Sequence, residues 1–159
     1  MIIVSDLHLA EGNDSPNEDF FYDQEFAQLI KGRKNCHLVF NGDSMDFLQV
    51  MARGNFRLTP NEERFGLGTS EKKSAFKMER IMVNHPVFFR ALAKFLKQNQ
   101  LTIISGNHDA EWYWPGVQNT LIKKLQKIST FPKKNVEFKR WFLHIPGLVY
   151  IEHGHQYDP

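Results

Sequence analysis

Asp6 and His8 are the first side chains of the sequence that could bind a metal ion together, and they follow the apolar run Ile2–Val4. They stand two positions apart, and side chains on a strand alternate between its two faces. The spacing therefore predicts that the carboxylate and the imidazole point the same way and can share one ion. An Asp-x-His triplet also occurs often by chance, so further donors have to support this interpretation.

Two more carboxylates, Asp43 and Asp46, follow the apolar run His37–Asn41. Gly42 lets the backbone turn sharply in front of them. If a helix begins at this turn, the spacing of three positions puts both carboxylates on one face. The pair could then bind a metal ion, or it could stabilise the N-terminus of that helix through the helix dipole.

The most informative segment is Ser-Gly-Asn-His-Asp, which follows the apolar run Leu-Thr-Ile-Ile. Asn107 offers a neutral carbonyl oxygen to a metal ion, and His108 beside it offers a proton donor. Gly106 permits the tight turn that presents both side chains. A fourth apolar run, Leu-Val-Tyr-Ile-Glu, ends at His153, and His155 follows two positions later. Polar donors therefore come directly after four separate apolar runs.

The elements that must position these donors are predicted to form an α/β sandwich. Apolar runs predict strands at the beginning of the chain and at 37–41, 101–105, 136–139 and 148–152. Apolar residues at helical spacing predict helices near 86–98 and 117–128. Alternating strands and helices are typical of α/β folds, and ligands of such folds bind where strand ends meet loops. We therefore expect the four groups of donors to meet at one edge of the sheet.

A further helix is predicted to begin at Ser15, because Pro16 and Glu18 complete a capping-box pattern. Gly32 is expected to end it. The buried stripes of the first and last helices are expected to contain Phe26, Leu29 and Ile30, and Val117, Leu121, Leu125 and Ile128. Between the helices, the polar stretch 53–73 is predicted to be a long surface excursion, and such loops often cover a site.

The four groups, Asp-x-His, Gly-Asp-x-x-Asp, Gly-Asn-His-Asp and the strand-end His-Gly, occur in this order from Ile2 onward. This order resembles the calcineurin-like metallophosphoesterase superfamily. The resemblance implies a four-layer αββα sandwich with two divalent metal ions, of which manganese is expected and iron or zinc is possible. It also implies the ligands: Asp6 and His8 for the first ion, Asn107 and His153 for the second, and Asp43 as a bridge between the two.

The resemblance gives the remaining residues roles in the reaction. His108 would not bind metal, but would protonate the leaving oxygen or stabilise the charge on the phosphoryl group. Asp46 would orient His108. Near them, Trp112 and Trp114 could stack on a substrate or pack in a loop. His155 could face the substrate or lie on the surface.

The fifth motif of the superfamily, Gly-His-x-His, is absent from the 159 residues, because Tyr157 stands where its second histidine belongs. Either residues 1–159 are the N-terminal part of a single metallophosphoesterase domain, with the sandwich incomplete at its C-terminal end, or the protein has lost its last ligands; we expect the first. Each ion would then lack one histidine ligand in this chain. Whether the 159-residue chain is active by itself is left open.

Two classes of function are compatible with the motifs. The first is a hydrolase that cleaves a phosphodiester, pyrophosphate or phosphomonoester bond. The second is a scaffold of the same fold that binds protein partners without catalysis, and metal content would distinguish it from the first. Within the hydrolases, protein phosphatases usually continue Gly-Asp-x-x-Asp with Arg-Gly, whereas Phe47 and Leu48 stand here. A nuclease would need a more basic surface.

Composition restricts the class of protein further. With 159 residues and 42% hydrophobic residues, the chain can bury one core. Its net charge of +2 gives no indication of a nucleic-acid partner. No apolar run approaches the roughly 20 residues that span a bilayer. The single cysteine, Cys36, and the absence of a signal-peptide pattern lead us to expect a cytoplasmic protein. Nothing in the sequence indicates an oligomeric state.

Overall fold

Four parallel strands form the central sheet of the computed structural model, which describes residues 1–12 and 15–157. The strands are β1 (Ile2–Val4), β2 (His37–Asn41), β3 (Gln100–Ile104) and β4 (Val136–Lys139), in the spatial order β1-β2-β3-β4. Ile3 pairs with Val39, and Val39 pairs with Thr102. Because all four strands run in the same direction, their carboxyl ends lie at one edge of the sheet.

Helices and a two-stranded ribbon connect and cover this sheet. The helices are α1 (Asp23–Ile30), α2 (Pro60–Phe65), α3 (Glu71–Asn84), α4 (Pro86–Phe95) and α5 (Pro115–Ile128), and short 3₁₀ helices occupy Ala110–Tyr113, Lys133–Asn135 and His155–Tyr157. The antiparallel ribbon consists of β5 (Phe142–Ile145) and β6 (Val149–Glu152). The strands predicted at the beginning of the chain and in the other four apolar runs are confirmed, whereas β5 was not predicted.

Side chains that alternate between the two faces of β2 show how the layers are held together. Leu38 and Phe40 belong to the large core that the sheet forms with the helices. Val39, between them, packs with Leu143 and Ile151 of the ribbon. The described residues therefore form three layers: helices, parallel sheet and ribbon. A fourth layer of helices over the ribbon is not formed by residues 1–12 and 15–157.

The predicted start of the first helix is wrong. No helix begins at Ser15; its hydroxyl instead accepts a hydrogen bond from the backbone N–H of Asn17, and α1 begins at Asp23. Glu18 is used differently as well, because its buried carboxylate accepts the backbone N–H groups of Ala10, Gly12 and Phe20. Glu18 therefore fixes the long connection that follows β1.

The sets of buried residues predicted for α1 and α5 are each wrong at one position. Leu29 of α1 is 40% exposed and Ile128 of α5 is 44% exposed, whereas the other predicted members are buried. In α1 the residues four positions apart, Phe26 and Ile30, face the core, and Leu29 lies outside this narrow stripe. Ile128 is the last residue of α5, where the helix leaves the core.

The polar stretch 53–73 lies mostly on the surface but is not a simple loop. It contains α2, whose capping box is formed by Thr59 and Glu62, and it ends in the first turn of α3. Helix α3 was not predicted; Met78 and Ile81 are fully buried in the core. Trp114 Nε1 donates to Thr69 O at 2.9 Å, which ties the stretch to the segment that follows His108.

Within the part of the chain that the structure describes, no helix combines the length and the apolar character needed to cross a membrane.

Candidate metal centre

The loops that follow β1 and β2 lie side by side at the carboxyl edge of the sheet. Asp6 N donates to Gly42 O at 3.3 Å, and His8 N donates to Asp43 O at 2.9 Å. Asp6, His8 and Asp43 all have left-handed backbone conformations, with φ of 56°, 53° and 50°. Such conformations cost non-glycine residues about 1–3 kcal/mol each and often mark functional sites. The backbone here is therefore shaped by the neighbouring loop and not by continuation of a strand.

This geometry corrects the expected relation between Asp6 and His8. β1 ends at Val4, so strand alternation does not set the directions of the two side chains. Asp6 lies with Asp43 and His153 in a group whose possible ligand atoms are all within 4.8 Å of one another. His8 lies in a second such group, with Asp46 and His108.

Asp43 lies between the two groups. Its Oδ2 is 3.2 Å from His153 Nε2 and 3.9 Å from His8 Nε2. Its Oδ1 accepts the backbone N–H of His108 at 2.9 Å. The side chain is buried, which excludes water from one side of the carboxylate. One carboxylate therefore contacts residues of both groups.

His153 is held so that its Nε2 faces other acceptor atoms. Its Nδ1 lies 3.0 Å from Asn41 O, which can only accept, so Nδ1 carries a proton. Its Nε2 lies 3.2 Å from Asp43 Oδ2 and 3.3 Å from Asn107 Oδ1. All three atoms can offer lone pairs, and only a cation between them, a proton or a metal ion, makes this approach favourable.

Asp46 contacts both histidines of the second group. Its Oδ2 is 2.9 Å from His108 Nδ1 and 3.3 Å from His8 Nδ1. Both Nδ1 atoms therefore donate to the carboxylate, and both Nε2 atoms are directed elsewhere. The side chain of His108 is 37% exposed, whereas that of Asp46 is 3% exposed. His108 thus has a free ring nitrogen close to solvent and a buried partner that fixes its ring.

No helix begins at Asp43, so the helical spacing considered for Asp43 and Asp46 does not apply. Asp46 Oδ1 instead accepts the N–H groups of Leu48 and Gln49, as aspartates do in turns. Both aspartates still lie in the centre, because the loop as a whole folds against the loop after β1. Helix-dipole stabilisation therefore does not account for them.

Two glycines allow the loops to approach each other closely. A Cβ atom on Gly106 would lie 2.1 Å from Asp43 Oδ1 and 2.6 Å from Asp43 N. A Cβ atom on Gly42 would lie 2.3 Å from His153 Cγ. Any side chain at these positions would displace Asp43 or His153 from the centre.

Asp109 is the positioning residue that the sequence did not reveal. It is fully buried, and its Oδ1 accepts Gly106 N at 2.7 Å. Its Oδ2 accepts Ser44 N and Ser44 Oγ, both at 2.8 Å, and Trp112 Nε1 at 3.0 Å. Burial raises the pKa of Asp109, while these hydrogen bonds oppose the shift. Asp109 thus links the loop after β3 to the loop after β2. The only sequence feature that could have indicated this role is its position directly after His108.

Two further buried charges lie behind the centre. Burial lowers the pKa of Lys77, and the negative charges of Glu111 and Asp46 oppose that shift. Burial raises the pKa of Glu111. Lys77 therefore interacts electrostatically with Asp46 from the side of the core.

The two tryptophans have different environments. Trp112 is 2% exposed, and its ring packs edge-on against Phe47, so it is a core residue and cannot stack on a ligand. The expected substrate contact of Trp112 is therefore wrong. Trp114 is 43% exposed, with its indole N–H bonded to Thr69 O, so one part of its ring is open to solvent.

His155 lies close to the centre and is not a plain surface residue. It is half-buried, and its ring centroid is 5.4 Å from that of His153. Among the described residues, its buried Nδ1 has no hydrogen-bond partner.

The donors at this edge fit a divalent metal ion. They comprise carboxylates, imidazoles and one amide oxygen, a mixture that suits manganese, iron or zinc. Metal–ligand distances of about 2.1 Å place neighbouring ligands about 3 Å apart in octahedral geometry. The separations of His153 Nε2 from Asp43 Oδ2 and Asn107 Oδ1, 3.2 and 3.3 Å, agree with this spacing.

Comparison with protein families finds one match that covers almost the whole chain. The family model of calcineurin-like phosphoesterases matches residues 1–158. Comparisons with curated proteins and with solved structures give no match. The family match agrees with the order of the motifs and with their convergence at one sheet edge, and the chain belongs to the calcineurin-like phosphoesterase family.

Proposed function

We propose that this protein hydrolyses a phosphodiester, pyrophosphate or phosphomonoester bond through a dinuclear metal centre. The observation that carries the proposal is the approach of Asp43 Oδ2 and Asn107 Oδ1 to His153 Nε2, at 3.2 and 3.3 Å, a spacing that suits ligands of one metal ion. Membership of the family supports it, because the family hydrolyses phosphate esters and uses divalent metal ions.

Five residues would hold the ions in this proposal. Asp6 and His8 would bind the first, Asn107 and His153 the second, and Asp43 would contact both. When bound, two divalent ions supply Lewis-acid polarisation of the phosphoryl group and an activated water nucleophile. We propose manganese as the metal, and iron or zinc also suits these ligands. Asp6 lies in one group with Asp43 and His153, and His8 lies in the other, so the shared assignment of Asp6 and His8 to the first ion is the part of the proposal to test first.

His108 would act on the substrate and not on the metal. Its Nδ1 is held by Asp46 at 2.9 Å, so its Nε2 is free to give a proton to the leaving oxygen. Asp46 fixes the orientation of the ring, as a carboxylate partner of a histidine does. Partial exposure of His108 is consistent with contact to a bound substrate.

His155 and Trp114 would lie on the substrate side of the centre. The half-buried ring of His155, beside that of His153, would contact a substrate group through its exposed part. The open part of the Trp114 ring could cover an apolar or planar group. Both assignments depend on where the substrate lies, so they are secondary to the metal ligands.

We also propose that the three described layers belong to a four-layer sandwich. Phe142, Tyr150 and Trp141 are exposed on the ribbon, and Phe142 stacks on Tyr150 with ring centroids 5.1 Å apart. Such an aromatic surface is normally covered. A longer chain that includes a Gly-His-x-His segment should therefore protect these side chains from solvent, which quenching of tryptophan fluorescence would measure.

Metal binding and hydrolysis by paired variants test the proposed roles. Asp43→Asn should lower the manganese bound by the 159-residue chain, because Asp43 contacts both groups of ligands. His108→Asn should leave bound manganese near the wild-type value. Any hydrolysis of bis(p-nitrophenyl) phosphate should require manganese and should fall about 10²–10⁴-fold in His108→Asn.

Three results would contradict the proposal. Hydrolysis that survives thorough metal removal would exclude a dinuclear mechanism. Loss of bound metal in His108→Asn would make His108 a ligand. A wild-type chain that binds no manganese, alone or in a longer form, would favour the non-catalytic scaffold.

A further inference from the structure

A second concave surface lies between α1 and α4, away from the metal centre. It is a groove of about 480 Å³, lined by the second half of α1, the turn Lys31–Lys34 and one side of α4. The turn precedes β2, and Gln98 at the other end precedes β3. The groove therefore extends toward the amino ends of the strands, whereas the metal centre lies at their carboxyl ends.

The charges that line this groove have one sign. Five cationic side chains line it, and all five are exposed: Lys31, Arg33, Lys34, Arg90 and Lys94. Among residues 1–12 and 15–157, no carboxylate lines it, although the chain has 18 acidic residues for 20 basic ones. The lysine and arginine ion pairs between described residues involve Lys73, Lys124 and Lys139, none of which lies in the groove. The five cations repel one another, and a bound anion would remove that repulsion.

Helix dipoles explain only part of this cluster. Lys31 and Lys94 lie at the C-terminal ends of α1 and α4, where cations are stabilised. Arg33 Nε donates to Leu29 O, a carbonyl near the end of α1. Arg90, however, lies in the middle of α4, and Lys34 lies beyond the turn that ends α1. Helix dipoles therefore do not account for these two cations.

The floor of the groove is apolar. Ala27, Val87 and Ala91 are half-buried, and Ile30 and Phe95 are buried. An inorganic anion would contact only the charged rim and would leave this floor wet. A ligand with an apolar body would cover the floor and present its anionic group to the rim. The volume of the groove lies in the range of small-molecule sites, roughly 300–1,000 Å³.

We propose that this groove binds a small amphiphilic anion, an alkyl or aryl body that carries a phosphate or carboxylate group. The body lies on Ala27, Ala91 and Phe95, and the anionic group lies between Arg90, Lys94 and the turn Lys31–Lys34. This proposal does not depend on the proposed hydrolase function, because it uses none of the residues of the metal centre.

Binding of decyl phosphate below its micellar concentration, measured on the metal-free chain in the presence of chelator so that the metal centre does not bind or hydrolyse this phosphomonoester, tests the proposal. Calorimetry of the 159-residue chain should show one site, and amide resonances of Ala27, Ala91 and Gln98 should shift while those of the metal centre do not. Inorganic phosphate should bind at least about tenfold more weakly, because it cannot use the apolar floor. Decyl maltoside, which has the same alkyl chain and no charge, should also bind at least about tenfold more weakly.

Two variants separate the charged rim from the apolar floor. Arg90→Ala/Lys94→Ala should lower the affinity for decyl phosphate at least about tenfold. The matched control, Lys123→Ala/Lys127→Ala on exposed positions of α5, changes the net charge equally and should leave the affinity unchanged. Ala91→Trp fills the groove without changing any charge, and it should also abolish binding while circular dichroism shows an intact fold.

Other results would overturn the proposal. Equal affinity for inorganic phosphate would mean that only surface charge is recognised, and equal affinity for decyl maltoside would mean that charge is irrelevant. Equal loss of affinity in the α5 control would show non-specific attraction. Binding to phosphatidylglycerol vesicles without binding to decyl phosphate would identify a membrane-docking face instead.

Discussion

Replacing His85 with glutamine is expected to remove a pH-dependent part of the protein's stability. His85 is 2% exposed, and its ring joins two carboxylates: Nε2 lies 3.1 Å from Glu18 Oε2, and Nδ1 lies 2.9 Å from Asp23 Oδ1. Both ring nitrogens therefore donate, which requires the imidazolium form. Burial by itself lowers the pKa of His85, but the hydrogen bonds and charges of Asp23 and Glu18 together outweigh it and raise the pKa to about 9.

The size of the effect follows from the difference between the folded and unfolded pKa values. The pKa of His85 rises from 6.5 to about 9 on folding, and each unit corresponds to about 1.4 kcal/mol, so protonation stabilises the fold by about 3 kcal/mol. Because the folded pKa is the higher one, this stabilisation is complete below pH 6.5 and is lost as the pH rises through about 9. Glu18 behaves in the opposite way, since its lowered pKa gives a contribution that is lost only under acidic conditions.

Urea unfolding of the wild type and His85→Gln at about pH 6 and about pH 9.5 measures this contribution. The difference in unfolding free energy between the two proteins should shrink by about 3 kcal/mol from the lower to the higher pH. His144→Gln, which removes an exposed histidine, is the matched control and should show no such change. A difference that is the same at both pH values would mean that His85 is neutral in the folded protein, and the reasoning would be refuted.

Three further predictions concern the metal centre. Gly106→Ala should lower the unfolding free energy by about 1–3 kcal/mol in urea unfolding and should lower bound manganese, because the new Cβ meets Asp43. The control Gly116→Ala should lower the unfolding free energy less, because its Cβ meets only the flexible Glu71 side chain. Equal losses of unfolding free energy in the two variants would contradict this prediction. Asp109→Asn should cost about 1–3 kcal/mol in urea unfolding, because an amide N–H₂ would face other donors; an unchanged midpoint would be the contrary result. Manganese at about 100 times its Kd should stabilise the wild type by about 2.7 kcal/mol. This stabilisation is measured as a rise in the thermal midpoint that chelator reverses. An equal rise in Asp43→Asn would show that the ion binds elsewhere.

The sequence by itself determined which segments carry the chemistry. Short β-forming runs such as His37–Asn41 and Leu101–Ile104 are local patterns, and each became a strand of the parallel sheet. Since parallel strands bring their carboxyl ends to one edge, the donors after them, from Asp43 to His108, were predicted to meet, and they do. Local periodicity was sufficient for this result because strand direction and loop position follow from the order of elements.

Tertiary contacts decided how the donors are grouped. Strand alternation put Asp6 and His8 together, but pairing of their loop with the loop after β2 holds both in left-handed conformations and separates them into two groups. Hydrophobic periodicity does not predict such a conformation, because the contacts that maintain it come from residues about 35 positions away in sequence, such as Gly42 and Asp43.

Burial of polar and aromatic side chains was likewise decided by long-range packing. Asp109 is buried because it accepts donors from the loop after β2, and Trp112 is buried because Asp109 and Ser44 accept its indole N–H. Ser15 fits a cap pattern, but the carboxylate of Glu18 accepts backbone N–H groups of Ala10 and Gly12 and contacts His85, and does not cap a helix. A sequence pattern states which partners a side chain could have, and only the assembled fold determines which of them come within reach.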